Sequence, residues 1–316
     1  MTPPSANRPL SAVGSAAGQP ADEVFAAALA AAAAQVAEAL DRLLPAPAGG
    51  EARLAAAMRQ AALAGGKRLR AFLVIAGGTM LQVPADRSLR VAAAVEMLHA
   101  YALVHDDLPA MDDASTRRGR PALHLAFDEA TAILAGDALL TEAFAVLADP
   151  ATHPDPAVRV DLIARLTAAS GLAGMAGGQM LDLRAAETVT DATDLRRLQD
   201  MKTGALLAWS AAVGAMLAAA PAAQLQALMD YGRWLGWAFQ IADDLLDVEG
   251  DPLAVGKPLG RDRALGKATL AGQRGVAAAR EEAWQAATRA GECLDLFGQK
   301  ADLLRSAARF AVLRQS

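Results

Sequence analysis

Residues 234–247 read Trp234-Leu235-Gly236-Trp237-Ala238-Phe239-Gln240-Ile241-Ala242-Asp243-Asp244-Leu245-Leu246-Asp247. Apolar side chains dominate this run without alternating with polar ones at period two, so it reads as a helix and not as a strand. Asp243 and Asp247 are four apart and stack on one helix face, and Gln240 and Gly236 continue that stripe. The same reading extends outward. Alanine and leucine prevail in nearly every segment after Ala21, and β-branched runs are short. The helical pattern recurs over Asp22–Leu44, Glu51–Ala64, Lys67–Leu81, Asp86–Asp107 and Glu129–Leu147. It returns over Ala157–Ala173, Leu195–Ala219, Ala222–Val248, Arg263–Ala290 and Cys293–Leu313. Glycine and proline set breaks at Pro45–Gly50, Gly65–Gly66, Pro150–Pro156 and Gly250–Gly260. About ten helices, no strand and no fixed-period repeat predict an all-α fold, one large bundle around a central cavity.

The chain has 316 residues, 54% hydrophobic and 21% charged, so a large core is readily built. Aromatics at 4% argue against a surface that stacks nucleic-acid bases. The net charge of -5 offers no field to draw in a polyanion. No nucleic-acid partner is therefore expected, and any anionic substrate must be met by local lysines and arginines. Cys293 is the sole cysteine, which excludes an intramolecular disulfide and fits a cytoplasmic setting. Residues 1–20, rich in Pro, Ser, Gly and Ala, lack the apolar core of a signal peptide and read as a disordered tail. Residues 21–316 then form one domain. The run Thr203–Met229 carries no charge and is long enough to span a bilayer. Its alanine content, with Gly204, Ser210, Gly214 and Pro221 inside it, favours a buried helix, and no membrane insertion is expected.

Two aspartate clusters stand out. The first is Asp106-Asp107-Leu108-Pro109-Ala110-Met111-Asp112-Asp113, where four carboxylates repel one another unless a positive charge sits among them. Glu96, His99, Leu103 and Asp106 lead into it on one helix face. Asp106 and Asp112 would be about 120° out of register on an unbroken helix. Pro109 disrupts that helix, so the chain can bulge and return Asp112 toward Asp106. An acidic, solvated helix end with Asp113 as its cap is the plainer alternative. The second cluster is Asp243, Asp244 and Asp247, set in an apolar helix, where unpaired charge is costly and a metal or cationic partner is expected. Carboxylates without His or Cys suit Mg²⁺ completed by phosphate oxygens. The helical spacing, without a twelve-residue loop and its central glycine, excludes a calcium loop.

Cations occur where phosphate groups would need them. Gly65-Gly66-Lys67-Arg68-Leu69-Arg70 puts two glycines before a helix start, with Lys67 and Arg70 on one side, an arrangement suited to a diphosphate. Arg117-Arg118-Gly119-Arg120 follows the first aspartate cluster directly. Lys202-Thr203, Lys257 and Lys267 add positive charge beside apolar or acidic stretches, and each alone is more often a solvated residue than a ligand.

In this order, these segments resemble the trans-isoprenyl diphosphate synthases, and among them the bacterial farnesyl diphosphate synthases. The resemblance runs from about Val24 to the C-terminus. It rests on residues 65–70, Asp106–Asp113, Arg-Arg-Gly-Arg-Pro at 117–121, Gly136-Asp137-Ala138-Leu139, Gly-Gly-Gln-Met-Leu-Asp-Leu at 177–183, Lys-Thr-Gly at 202–204, residues 239–247, and Gly-Lys at 256–257 and 266–267. It implies the isoprenoid synthase fold and a head-to-tail condensation of isopentenyl diphosphate with an allylic diphosphate. It also implies several Mg²⁺ ions, replaceable by Mn²⁺, and a homodimer.

By the same resemblance, Asp106 and Asp112 are Mg²⁺ ligands with Asp107 and Asp113 in support, and Asp243 is the ligand of a further ion with Asp244 and Asp247 around it. Arg117, Lys202, Gln240 and Lys257 contact the allylic diphosphate. Lys67, Arg70, His99 and Arg118 form the isopentenyl diphosphate pocket, where the place of His99 favours hydrogen bonding over action as a base. Thr203 and Phe239 line the space between substrates, and Lys267 adds a cation nearby. An aromatic at Tyr101, with Ala102 beside it, goes with a C15 product in the family, and a small residue with C20 or longer. The chain departs from the pattern at Leu270 after Lys267-Ala268-Thr269, where a tyrosine is frequent. It departs again at Ala114-Ser115, and at a C-terminus reduced to the cations Arg309 and Arg314. A C20 synthase, a class I terpene cyclase and a non-catalytic partner subunit are the competing readings. The paired aspartates speak against a cyclase, and two intact clusters against a silent subunit.

Overall fold

The computed structural model describes residues 19–249 and 269–313. Helices α1 (Gln19–Leu43), α2 (Ala52–Ala62), α3 (Leu69–Met80) and α4 (Ala85–Asp106) come first. A short turn, α5 (Leu123–Ala126), leads into α6 (Glu129–Ala148), α7 (Pro156–Ser170), α8 (Met175–Leu183), the turn α9 (Ala185–Thr188) and α10 (Ala192–Gln199). A π-helical turn, Asp200–Gly204, joins α10 to α11 (Ala205–Leu217), and α12 (Ala222–Glu249) follows. The C-terminal part holds α13 (Leu270–Arg274), α14 (Val276–Glu292) and α15 (Asp302–Leu313). Twelve of these helices have eight residues or more among the described residues, so the all-α expectation holds. Start signals are where side-chain chemistry puts them. Asp128, Asp155 and Asp191 each cap a helix by accepting from a backbone N–H two or three residues on, and Pro156 opens α7.

The bundle is organised about α11, in which every residue from Leu206 to Leu217 is buried. It packs on α3, α7 and α12, while α4 lies between α3 and α6, and α14 backs α12. Full burial of each leucine or valine there is worth about 1.5–3 kcal/mol. Most of the charge-free run that raised a membrane question is thus this buried helix, and past the left-handed Ala219 its remainder begins α12. Two other segments, Asp22–Leu43 and Glu129–Ala148, are long and apolar enough by composition to cross a bilayer, with 28% and 39% of their apolar windows buried.

The architecture departs from expectation in five places, one of them Gly275, whose φ of 85° splits the helix expected over Arg263–Ala290 into α13 and α14. Thr116–Arg117 and Arg120–Pro121 pair as a small antiparallel hairpin, where no strand was expected. Arg118 and Gly119 turn it with φ of 53° and 74°, the two-residue turn that right-handed strand twist favours. The helix expected over Leu195–Ala219 is interrupted by the π turn. Leu69, not Lys67, begins α3, because Arg68 is left-handed at φ 52°. The helix expected over Cys293–Leu313 is a 3₁₀ segment, Asp295–Ala301, then α15, with Gly298 at φ 58° making the kink. Residues 1–18, the break at 250–260, the start of the helix expected from Arg263, Lys257, Lys267 and Arg314 lie outside the described residues.

Candidate active site

Four elements bring the sequence-predicted residues together: the start of α3, the C-terminal half of α4 with its hairpin, the π turn and the middle of α12. Helix α4 ends at Asp106, and the chain then folds back through Pro109. The Asp112 N–H donates to the Asp106 carbonyl at 2.8 Å, and the Ala114 N–H to the Asp107 carbonyl at 3.2 Å. The return of Asp112 onto Asp106 is therefore realised in the backbone. Burial pushes the Asp106 carboxyl up to about 6; Lys202 and Arg117 oppose that rise, while Asp112 and Asp107 add to it. Asp107 is buried and held by the Arg117 guanidinium, whose Nε lies 3.0 and 3.1 Å from its two oxygens. That pairing fixes the hairpin against the end of α4 and raises the Arg117 pKa further.

Two turns back along α4, the environment reverses sign. Burial, then Arg70, Arg118, Arg68 and Arg117, drive the His99 pKa well below 6.5, so the imidazole is neutral at pH 7. The Arg70 Nε is buried and has no protein partner. Burial also lowers the Arg70 pKa against the pull of Glu96. Arg118 donates to the Gly65 carbonyl and lies beneath Gly66, so the hairpin and the Gly65-Gly66 turn close on each other. Lys67 is exposed, with its ammonium 5.7 Å from the Phe310 ring of α15.

One expectation here needs correction. Lys67 and Arg70 were expected on one side of a helix start suited to a diphosphate. Lys67 precedes the helix, and Glu96, buried on α4, occupies part of that start: its Oε1 accepts from the Ala71 N–H at 3.3 Å. Its Oε2 accepts from Arg68 Nη1 at 2.8 Å, and Arg68 also donates to the Ala62 carbonyl. Arg68 is thus a buried structural cation, leaving Arg70 as the inward guanidinium.

On the opposite wall, the π turn carries Lys202 and Thr203. Lys202 Nζ is 2.5 Å from Asp182 Oδ2 on α8, and its charge also reaches Asp106. Thr203 Oγ1 is 3.4 Å from Gln240 Oε1, and Gln240 Nε2 donates to Asp244 Oδ1 at 3.0 Å. This chain of contacts links the π turn to the second cluster on α12, where Asp244 and Asp247 are buried and Phe239 and Asp243 are half-buried. Two glycines allow the π turn to fit. A Cβ on Gly178 of α8 would meet Lys202 N at 2.3 Å, and one on Gly236 of α12 would meet Gly204 Cα at 2.8 Å. Among the described residues no three His, Cys, Asp or Glu side chains converge to hold a metal unaided.

Residue-by-residue reading passed over Glu96 as a clamp, and Asp182 as the partner of Lys202. It also passed over Gln179, whose amide N and O are buried without protein partners. Gln179 and Asp182 stand within the 177–183 run that carries the resemblance, where they are the polar residues among small and apolar ones, but no role was assigned to either.

The polyprenyl synthetase family model matches residues 51–301. The farnesyl diphosphate synthase of Escherichia coli is 47% identical over 229 residues, 72% of this chain and 76% of that protein. A probable farnesyl diphosphate synthase of Bradyrhizobium diazoefficiens is 44% identical over 274 residues, 85% of this chain and 82% of its own. Among solved structures, an FPP/GFPP synthase of Zymomonas mobilis superposes with a TM-score of 0.84 at 40% identity, covering 92% of this chain and 99% of that one.

Proposed function

The chain belongs to the polyprenyl synthetase family, and from this we propose that it is a farnesyl diphosphate synthase. It joins isopentenyl diphosphate to dimethylallyl and then geranyl diphosphate, releasing diphosphate and the C15 product. The observation that carries the reading is the pair of unlike anion holds on α4. One is the arginine-walled surroundings of a neutral His99; the other, about 10 Å on at 1.5 Å per residue, is the Asp106–Asp112 return. The first accepts an anion directly. The second accepts one only through a cation, so the two diphosphates are sorted.

Asp106, Asp112 and Asp243, with Asp107 and Asp247 near them, would hold Mg²⁺. A buried Asp106 carboxyl crowded by Asp112 and Asp107 fits that demand. When bound, Mg²⁺ neutralises the diphosphate as it departs. Arg117, Lys202 and Gln240 bind the allylic diphosphate, and Lys202 and Arg117 stabilise the charge that grows on it when the C–O bond breaks. Arg70, Arg118, Lys67 and neutral His99 hold isopentenyl diphosphate, with His99 hydrogen-bonding and not protonating. The double bond then attacks the allylic carbon, and the proton lost passes to the released diphosphate. Thr203, Phe239 and the apolar faces of α4 and α12 exclude water from the cation.

Residues 21–316 act as one catalytic domain, as a cytoplasmic homodimer. The test is incubation of the purified protein with dimethylallyl diphosphate, isopentenyl diphosphate and Mg²⁺, followed by product chromatography. A C15 main product supports the assignment, a C20 product assigns a longer-chain synthase, a cyclised hydrocarbon a terpene cyclase, and no product a silent subunit. Asp106→Ala and Asp243→Ala are each expected to lower kcat by several orders of magnitude with unchanged helical circular dichroism. Near-normal turnover in either variant would remove that cluster from the metal site.

A further inference from the structure

The π turn that presents Lys202 and Thr203 is a single-turn bulge between two α-helices, a feature frequent at functional sites, so what holds it in place bears on the site. One supporter is visible on α10. Arg196 Nε donates to Asp200 Oδ1 at 2.8 Å, and Asp200 is the first residue of the π turn. The same guanidinium lies 4.6 Å over the Trp234 ring and 4.7 Å over the Trp237 ring, both on α12. Arg289 of α14 lies 4.8 Å over Trp234 as well, and the Trp237 Nε1 donates to Glu282 at 3.1 Å, so the tryptophan platform is itself held. Burial pushes the Asp200 carboxyl upward, and the Arg196 guanidinium beside it opposes that rise. Planar stacking and a directed hydrogen bond from one group are what guanidinium offers and ammonium does not.

We propose that Arg196 is a positioning residue for the allylic-diphosphate end of the site: anchored on Trp234 and Trp237, it grips Asp200 and so sets the π turn that aims Lys202 and Thr203. The anchor stands one helical turn before Gln240 and two before Asp243 and Asp244 on α12. One side chain thereby ties the cationic wall to the helix of the second aspartate cluster. Arg196 itself touches no substrate. The proposal rests on the synthase reading above.

Two variants test it, with kinetics taken separately for each substrate. Arg196→Met keeps bulk on the ring faces but removes the cation and the Nε donor. Asp200→Asn leaves the stack and removes the charge that Arg196 grips. Loss of a charge-assisted bond that orients Lys202 is expected to raise KM for geranyl diphosphate or lower kcat by about tenfold or more, with KM for isopentenyl diphosphate within about twofold. Arg196→Lys is expected to restore only part of the loss. A purely structural role would move both KM values together, or melting temperature alone, and either pattern in Asp200→Asn overturns the proposal. So does unchanged geranyl diphosphate kinetics in both variants. Absence of product from the unmodified protein would instead overturn the synthase reading, a distinct result.

Discussion

Tyr101 stands five residues before Asp106 on α4, about 7.5 Å back along the helix. Its ring meets His105 edge-on at 5.0 Å, and His105 Nε2 in turn lies 3.1 Å from the Ile133 carbonyl of α6, so the phenol is braced from a second helix. With the diphosphate head fixed near Asp106, a growing prenyl tail must pass this level, and a braced aromatic ring there acts as a floor beside the smaller Ala102. Tyr101→Ala is expected to shift the main product to C20 and beyond with the first condensation little changed, as read by chromatography of the prenyl alcohols. An unchanged product length clears Tyr101 of the role. His99 gives a pH-dependent expectation. The folded state holds it neutral, whereas the unfolded chain takes up a proton near pH 6.5. Below that pH the unfolded state binds more protons, so His99 makes stability fall as pH drops from 6.5 toward its depressed folded pKa. Between pH 7.5 and 5.5, His99→Gln is expected to lose less stability than the parent, by at most about 1.4 kcal/mol per pH unit below 6.5. Equal losses in urea-unfolding midpoints would contradict a neutral His99. Not every residue was equally legible. The Asp106–Asp112 return could be read from Pro109, because proline allows few outcomes within a helix. Which cation of residues 67–70 points inward could not, since that turns on a left-handed backbone at Arg68 and on Glu96, distant in sequence.

At the scale of elements, the site depends on a turn squeezed between two helices. Helix α8 approaches the π turn through Gly178 and α12 approaches it through Gly236, each closer than any side chain allows. Gly178→Ala would be favoured by helix propensity by up to about 1 kcal/mol. The added methyl, however, would lie 2.3 Å from Lys202 N, a backbone atom that cannot swing aside. Overpacking of this kind costs about 1–3 kcal/mol. A lower melting temperature together with reduced turnover is therefore expected, and a melting temperature at or above the parent's would show that the two elements have slack. Sequence periodicity placed the long helices well because their apolar faces repeat over many turns. It missed the π turn and the 116–121 hairpin for a physical reason: each is set by a few backbone angles and by packing partners far along the chain. The segment Leu195–Ala219 is helix-favouring throughout, and the approach of Lys202 to Gly178 of α8 and of Gly204 to Gly236 of α12 is tertiary and cannot be read from it.

The whole molecule leaves apolar surface that one chain does not use. Leu125, Ile133 and Leu134 are 58%, 43% and 55% exposed along α5 and α6, and Leu172, Met180 and Leu183 are 88%, 57% and 45% exposed on α8 and the chain leading into it. Ala176, Met180 and Leu183 step by four and three, so they share one helix face. Scattered surface leucines are ordinary, but apolar side chains repeated along helices in this way mark a contact surface. The composition of α6 sharpens the point: it is apolar enough to cross a bilayer, yet only 39% of its window is buried within the chain. The homodimer proposed above would cover the exposed face of α6 with a second copy. Light scattering at micromolar concentration should then give about twice the chain mass of 32.5 kDa. Leu134→Glu, which places a charge on the exposed face and disturbs no buried group, should shift the protein toward the monomer while helical content is kept. A parent mass near 32.5 kDa would refute the dimer, and vesicle flotation would then show whether the same face meets lipid instead. A parent dimer unaffected by Leu134→Glu would move the interface away from α6.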